Sequence, residues 1–160
     1  MRERSGFSLI EIAVVVGIMV IIAGFSLANL GSRRTRVELT GATKQIAGLL
    51  REAQSRSAAQ VSSSSWGVRL ANVTNTAPFY ALFSGSYATT SRIGYYHLPP
   101  SVRYATATIP QGGFLYVVFS QIAGIPSTAT SVVLELTSSS TSAPYASTTI
   151  TINPAGSVSY

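Results

Sequence analysis

The side chains that could do acid–base, nucleophilic or metal chemistry are few. Among 160 residues the acids are Glu3, Glu11, Glu38, Glu52 and Glu135, the only histidine is His97, and there is no Asp and no Cys. Disulfides and thiolate ligands are excluded outright. A single His without Asp or Cys supplies neither a metal site nor a catalytic triad. The serine runs contain no G-x-S-x-G elbow. Gln111-Gly112-Gly113 lacks the G-K-[ST] and the following helix of a phosphate loop. An enzyme is therefore disfavoured, and no cofactor or metal is expected. His97, in Tyr95-Tyr96-His97-Leu98-Pro99, reads as a surface or sheet-edge histidine. The eight tyrosines could stack on bases or glycans, although tyrosine on a half-exposed sheet surface is the simpler account.

One acid does ask for an explanation. Glu11 lies just inside a run, residues 12–30, that carries no charge. Those nineteen residues, at a helical rise of about 1.5 Å, cover about 28 Å, roughly the hydrocarbon core of a bilayer. A carboxylate there costs ~2.5–3.5 kcal/mol at the membrane centre and needs a cationic partner. Ser8-Leu9-Ile10-Glu11 also fits the S-x-x-E capping box that opens a helix. Such a cap is compatible with a second role but does not explain an acid at a membrane boundary.

The element that positions Glu11 is a long helix. Beyond the apolar run, Leu39, Ala42, Ile46, Leu49 and Ala53 recur at spacings of three and four, and Leu50 widens the stripe. Arg34–Glu38 and Glu52–Arg56 are i,i+4 pairs, the second in the favoured acid-first order. Residues 7 to about 57 would form a helix about 75 Å long, bare in its first half and covered on one face in its second. Gly17, Gly24, Gly31, Gly41 and Gly48 punctuate it. Each costs about 1 kcal/mol relative to Ala in an exposed helix but permits close helix approach.

Arg2, Arg4, the run Gly6-Phe7-Ser8-Leu9-Ile10-Glu11 and the apolar segment together resemble the leader and N-terminus of type IV pilins and type II secretion pseudopilins. The resemblance implies that a prepilin peptidase cleaves between Gly6 and Phe7. It further implies that Phe7 becomes the N-methylated first residue and that Glu11 is the assembly glutamate, neutralising the Phe7 amine of a neighbour in the filament. Implied partners are other pilin subunits, the peptidase, an inner-membrane assembly platform and, before assembly, the lipid bilayer. The implied location is a single pass of the cytoplasmic membrane with the N-terminus inside, then a periplasmic or extracellular filament. An ordinary secretory signal cut after Ser26-Leu27-Ala28 is the competing reading, and Glu11 interrupts its apolar core. Arg33, Arg34 and Arg36 follow the run, so the positive-inside rule does not decide the orientation. Major pilins often carry a proline in the membrane half; none is present here.

After residue 61 the texture changes to Ser/Thr-rich segments of low charge. Strand-like runs cover residues 66–70, 79–83, 114–120, 131–137, 147–152 and 156–160, with 92–105 read as a loop containing a short strand near 102–105. Asn153-Pro154-Ala155-Gly156 is a turn joining the last two strands. Loops are expected at Pro99-Pro100, Gly112-Gly113 and residues 138–142. The expected fold is α+β, a long N-terminal helix packed on a C-terminal antiparallel sheet. Its expected divisions are a leader at 1–6, a membrane or filament-core helix at 7–31, an amphipathic continuation at 32–61 and a β-sheet domain at 62–160.

The resemblance extends, more weakly, through Leu50-Arg51-Glu52-Ala53-Gln54, Trp66-Gly67-Val68, Val118-Phe119-Ser120 with Gly124, and the terminal Ile150-x-Ile152 and Gly156-x-Val158. These look like the H-type pseudopilin and FimT-like minor pilin group, some of which bind DNA through a basic C-terminal region. Residues 148–160 contain no Lys or Arg, which argues against nucleic acid. The alternative to a structural subunit is a minor pilin that binds DNA or surfaces. Clustering of Arg69, Arg92 and Arg103 would favour it and scattering would disfavour it. The net charge of +6 is otherwise explained by arginines beside the apolar run. The Ser/Thr surface could carry O-linked glycans.

Overall fold

The computed structural model describes residues 8–137 and 146–160, and within the long helix the side chains of residues 25–32 lie outside the description. The expected cleavage bond between Gly6 and Phe7 and the loop at 138–142 fall outside the described residues.

The chain forms two compact units, residues 1–34 and 35–160, and one helix, α1 (Leu9–Ala58), contributes to both. The carbonyl of Ser8 accepts hydrogen bonds from the N–H groups of Glu11 (3.1 Å) and Ile12 (3.3 Å), so the helix opens at the S-x-x-E run. It ends at Ala58, within the expected bounds. Gln60 takes a left-handed conformation (φ 53°) that no helix can continue, and a short 3-10 turn at Val61–Ser63 follows.

In the second unit eight strands form two antiparallel four-stranded sheets. They are β1 (Trp66–Ala71), β2 (Phe79–Ser84), β3 (Arg92–His97), β4 (Val102–Tyr104), β5 (Phe114–Phe119), β6 (Thr130–Leu136), β7 (Ser147–Ile152) and β8 (Val158–Ser159). The first sheet has the order β3-β2-β1-β5 and the second β4-β6-β7-β8. An α+β architecture is therefore present, with two sheets where one was the economical expectation. The β7–β8 hairpin turns at Asn153–Gly156, where the Asn153 side chain donates to Ser157 Oγ at 2.8 Å. The segment expected to be mostly loop, 92–105, contains β3. Its Arg92-Ile93-Gly94-Tyr95 pattern is weakly alternating, and it pairs as an edge because β2 needs a neighbour.

One core unites the unit. The helix stripe Leu39, Ala42, Ile46, Leu49, Leu50 and Ala53 is buried against residues of both sheets. From the first sheet come Trp66, Val68, Leu70, Leu82, Val117 and Phe119; from the second come Val132, Leu134, Ile150 and Ile152. The tyrosine expectation needs correction at two positions, because Tyr80 and Tyr104 are fully buried. Each retains a partner, as a buried hydroxyl must. Tyr80 Oη donates to Gln45 Oε1 on the helix (2.7 Å) and Tyr104 Oη to the Phe79 carbonyl (3.2 Å). Burial, with the neighbouring Tyr96 second, pushes the Tyr80 phenol up to about 12. Burial and then Tyr80 push Tyr104 up as well.

The helix end is locked to the first sheet by Ser57, a buried hydroxyl at the junction. Its Oγ accepts the Trp66 N–H at 2.7 Å and donates to the Phe119 carbonyl at 3.1 Å. One small polar group thus joins α1, β1 and β5. Gln54, one turn earlier, donates to the Gly124 carbonyl at 3.2 Å. A side chain on Gly156 (φ 92°) would collide with Gln54 and with the Gly124 carbonyl, so glycine is required at that contact.

Candidate assembly surface

Glu11 lies in the first turn of α1 and is exposed. It borders a shallow groove whose other walls are Ile12, Val15 and Val16, the i+1, i+4 and i+5 neighbours on the helix surface. Among the described residues Glu11 has no ion pair. Around it the aliphatic side chains stand open, from Leu9 at 86% exposure to Ile22 at 60%. A monomeric soluble surface rarely leaves so long an apolar rod uncovered. Gly17 and Gly24 have no atom within 4 Å of where a side chain would sit, so nothing in the first unit uses their smallness. Among the described residues no helix is long and apolar enough to cross a membrane. The side chains of residues 25–30, the last part of the expected span, are outside the description.

Of the three residues expected to act in processing and assembly, the structure therefore describes Glu11 alone; Gly6 and Phe7 lie outside it. Their roles remain expectations.

Of the three arginines whose clustering would mark a nucleic-acid face, Arg103 lies on a different sheet from the other two. Arg103, on β4 of the second sheet, stands opposite Glu135 on β6, and the two form an ion pair at 2.9 Å. Arg69 (β1) and Arg92 (β3) belong to the first sheet, separated by β2. His97 is exposed on the edge strand β3, against the rings of Phe79 and Tyr95. Its Nδ1 lies 3.3 Å from the Ala77 carbonyl. Among the described residues no three His, Cys, Asp or Glu side chains come together.

Sequence reasoning missed the outer face of the first sheet. Gly67, Ala71 and Ala81 form its floor. The rings of Phe83, Tyr87, Phe114 and Tyr116 make a connected set of tilted and edge-to-face contacts above it, with centroids 5.2–6.0 Å apart where they meet, while Phe79 meets Tyr95 and His97 instead. A side chain at Gly67 would strike the Phe83 ring at 2.8 Å, so the glycine makes room for the aromatic layer. The signal was present in β2, whose Phe79-Tyr80-Ala81-Leu82-Phe83 is apolar at every position and so needs cover on both faces.

No protein-family model and no curated protein matches the chain. Among solved structures, the type IV minor pilin FimU of Pseudomonas aeruginosa PAO1 is similar, with a TM-score of 0.50 and 13% identity over 78% of this chain and 88% of that one. At that identity the likeness speaks for the fold: α1 and the antiparallel sheet have the architecture of a type IV minor pilin.

Proposed function

We propose that the chain is a pilin or pseudopilin, a structural subunit of a type IV pilus-like filament. Its N-terminal helix holds it in the membrane before assembly. A prepilin peptidase removes residues 1–6, Phe7 carries the methylated amine, and Glu11 pairs with the Phe7 amine of a neighbouring subunit as an inner-membrane assembly platform adds subunits to the filament. The divisions follow from this role: leader 1–6, membrane and filament-core helix 7–31, amphipathic helix 32–61, and globular β domain 62–160.

The observation that carries the reading is an unpaired carboxylate on an uncovered aliphatic helix, joined to a globular unit with the minor pilin architecture. A charge in an apolar setting is stable only when another charge meets it. An uncovered apolar rod needs a membrane or other copies of itself around it. The same carboxylate therefore makes docking selective: a subunit without it leaves its neighbour's amine unpaired. The reading requires no catalytic group.

The test is incorporation. Glu11→Ala and Glu11→Val should partition into membranes as the parent does yet be depleted from sheared filaments. Normal incorporation of either variant refutes the assembly role. DNA binding, the alternative, is weakened by the Arg103–Glu135 pair and by the absence of Lys and Arg from residues 148–160.

A further inference from the structure

Arg69 is out of place on the outer face of the first sheet. Its guanidinium carbon lies 4.4 Å from the centroid of Tyr87, 5.0 Å from Phe114, 5.5 Å from Phe79 and 5.6 Å from Tyr116. Ring faces attract the positive charge, but they offer no oxygen to its N–H groups. Among the described residues Arg69 Nε is the one buried side-chain nitrogen or oxygen without a hydrogen-bond partner, and Arg69 makes no ion pair. A buried donor left unsatisfied is rare and calls for a reason. Arg69 Nη1 and Nη2 are not among such unsatisfied buried atoms, and their side-by-side N–H donors fit a carboxylate in two parallel hydrogen bonds while the rings hold the buried Nε in place.

The surroundings narrow the ligand. No acid lies on the first sheet: Glu11, Glu38 and Glu52 are on α1 and Glu135 is on β6. A second cation, Arg92, sits 4.8 Å above Tyr95, and Tyr95 in turn lies 4.8 Å from Phe79, so the two arginines share one aromatic strip. Phe114 is 56% exposed and Tyr95 42%. A shallow depression lined by Phe83, Gly85, Ser86, Tyr87, Tyr116 and Val118 continues the surface. Exposed rings present negative faces, which suit the weakly positive C–H faces of pyranose sugars. Two cations are too few for a nucleic-acid backbone, whose binding grows with the number of phosphates neutralised. They suit a chain of flat sugars that bears a carboxylate at intervals.

We propose that this face binds an acidic polysaccharide, with Arg69 receiving a uronate carboxylate and the Phe114 and Tyr95 rings seating the sugars on either side. The site belongs to the globular unit and stands or falls independently of the assembly role of Glu11.

The test uses the full chain in detergent micelles, titrated by calorimetry with oligogalacturonate, its methyl ester and a single-stranded oligonucleotide. Oligogalacturonate should bind, and the methyl ester, which lacks the charge, should bind at least tenfold more weakly. Arg69→Gln should weaken oligogalacturonate binding at least tenfold. Arg69→Lys should recover only part of it, because an ammonium cannot make the paired hydrogen bonds. Phe114→Ala, at an exposed ring, should weaken binding three- to tenfold with an unchanged melting temperature, which keeps the test decisive if Arg69→Gln misfolds. Equal affinity for acid and ester overturns the proposal. So does undiminished binding by Arg69→Gln and Phe114→Ala, an absence of any binding, or tighter binding of the oligonucleotide than of oligogalacturonate.

Discussion

The two parts of α1 meet opposite fates, and the first is far richer in large aliphatic residues than the second. Between Leu9 and Ile22 the large side chains are exposed all around the helix, whereas Leu39, Ile46, Leu49 and Leu50 are buried on one face. The difference lies in arrangement as well as in amount. The later segment spaces its aliphatics by three and four and puts Arg36, Thr40 and Lys44 on the opposite flank, so one stripe finds one core. The earlier segment is apolar at every azimuth, and no single sheet could cover it. Apolar residues all round a helix call for a membrane or a bundle of like helices, and Glu11 adds the requirement that whatever surrounds it brings a positive charge. A close analogue exists within the first sheet. Its inner face is covered by α1, while its outer face covers itself with its own rings and leaves one guanidinium donor unsatisfied.

The comparison can be broken most forcefully at Glu11. Glu11→Val should leave a neighbour's amine unpaired in the filament, at about 3–5 kcal/mol per contact, which is more than a loss of about a hundredfold in incorporation. The quantity of variant in sheared filaments against the membrane fraction measures it. Melting of the globular unit should not change.

Truncating one aliphatic in each part of the helix sharpens the contrast. Leu50→Ala should cost about 2–5 kcal/mol in denaturant unfolding. Ile18→Ala in detergent should change stability by no more than about 0.5 kcal/mol, since Ile18 stands 52% exposed in the subunit. Equal effects would dissolve the distinction between the two parts.

Ser57→Ala isolates the joint between helix and sheet. It strands the buried Trp66 N–H and should cost about 1–3 kcal/mol, read by the same unfolding curve.

Alkaline unfolding probes the core tyrosines. A phenol raised in the folded state contributes stability that is intact below its ordinary value of 10 and is lost as pH rises toward about 12 for Tyr80. Stability should therefore fall above pH 10, by up to about 1.4 kcal/mol per pH unit for each such group. Tyr80→Phe should flatten the fall between pH 10 and 12.

The smallest effect is expected at Glu52. Its i,i+4 ion pair with Arg56, at 2.5 Å, is partly exposed. Glu52→Gln should cost no more than about 0.5 kcal/mol, and less in high salt.

Much of the fold is legible in the sequence wherever periodicity is strong. The stripe from Leu39 to Ala53 announces both the helix and its buried face. Ile150 and Ile152 alternate with Thr149 and Thr151 and so announce a half-buried strand. Other features depend on pairing that a sequence does not display. β3 is a strand because β2 presents an open edge to it, although Gly94 and Arg92 speak weakly for one. The division into two sheets depends on which strands neighbour one another, and local pattern is silent about that. The aromatic layer escaped notice because Phe83, Tyr87, Phe114 and Tyr116 are scattered over 34 positions and meet only after β1, β2 and β5 align. Glu11 was conspicuous for the opposite reason, since its oddity is wholly local.

Mass analysis of the N-terminus of this chain, recovered from sheared filaments of native cells, tests the central claim most directly. A filament protein that begins with N-methylated Phe7 is the predicted result. Filament protein that retains residues 1–6, or a native chain trimmed after Ala28, would contradict it.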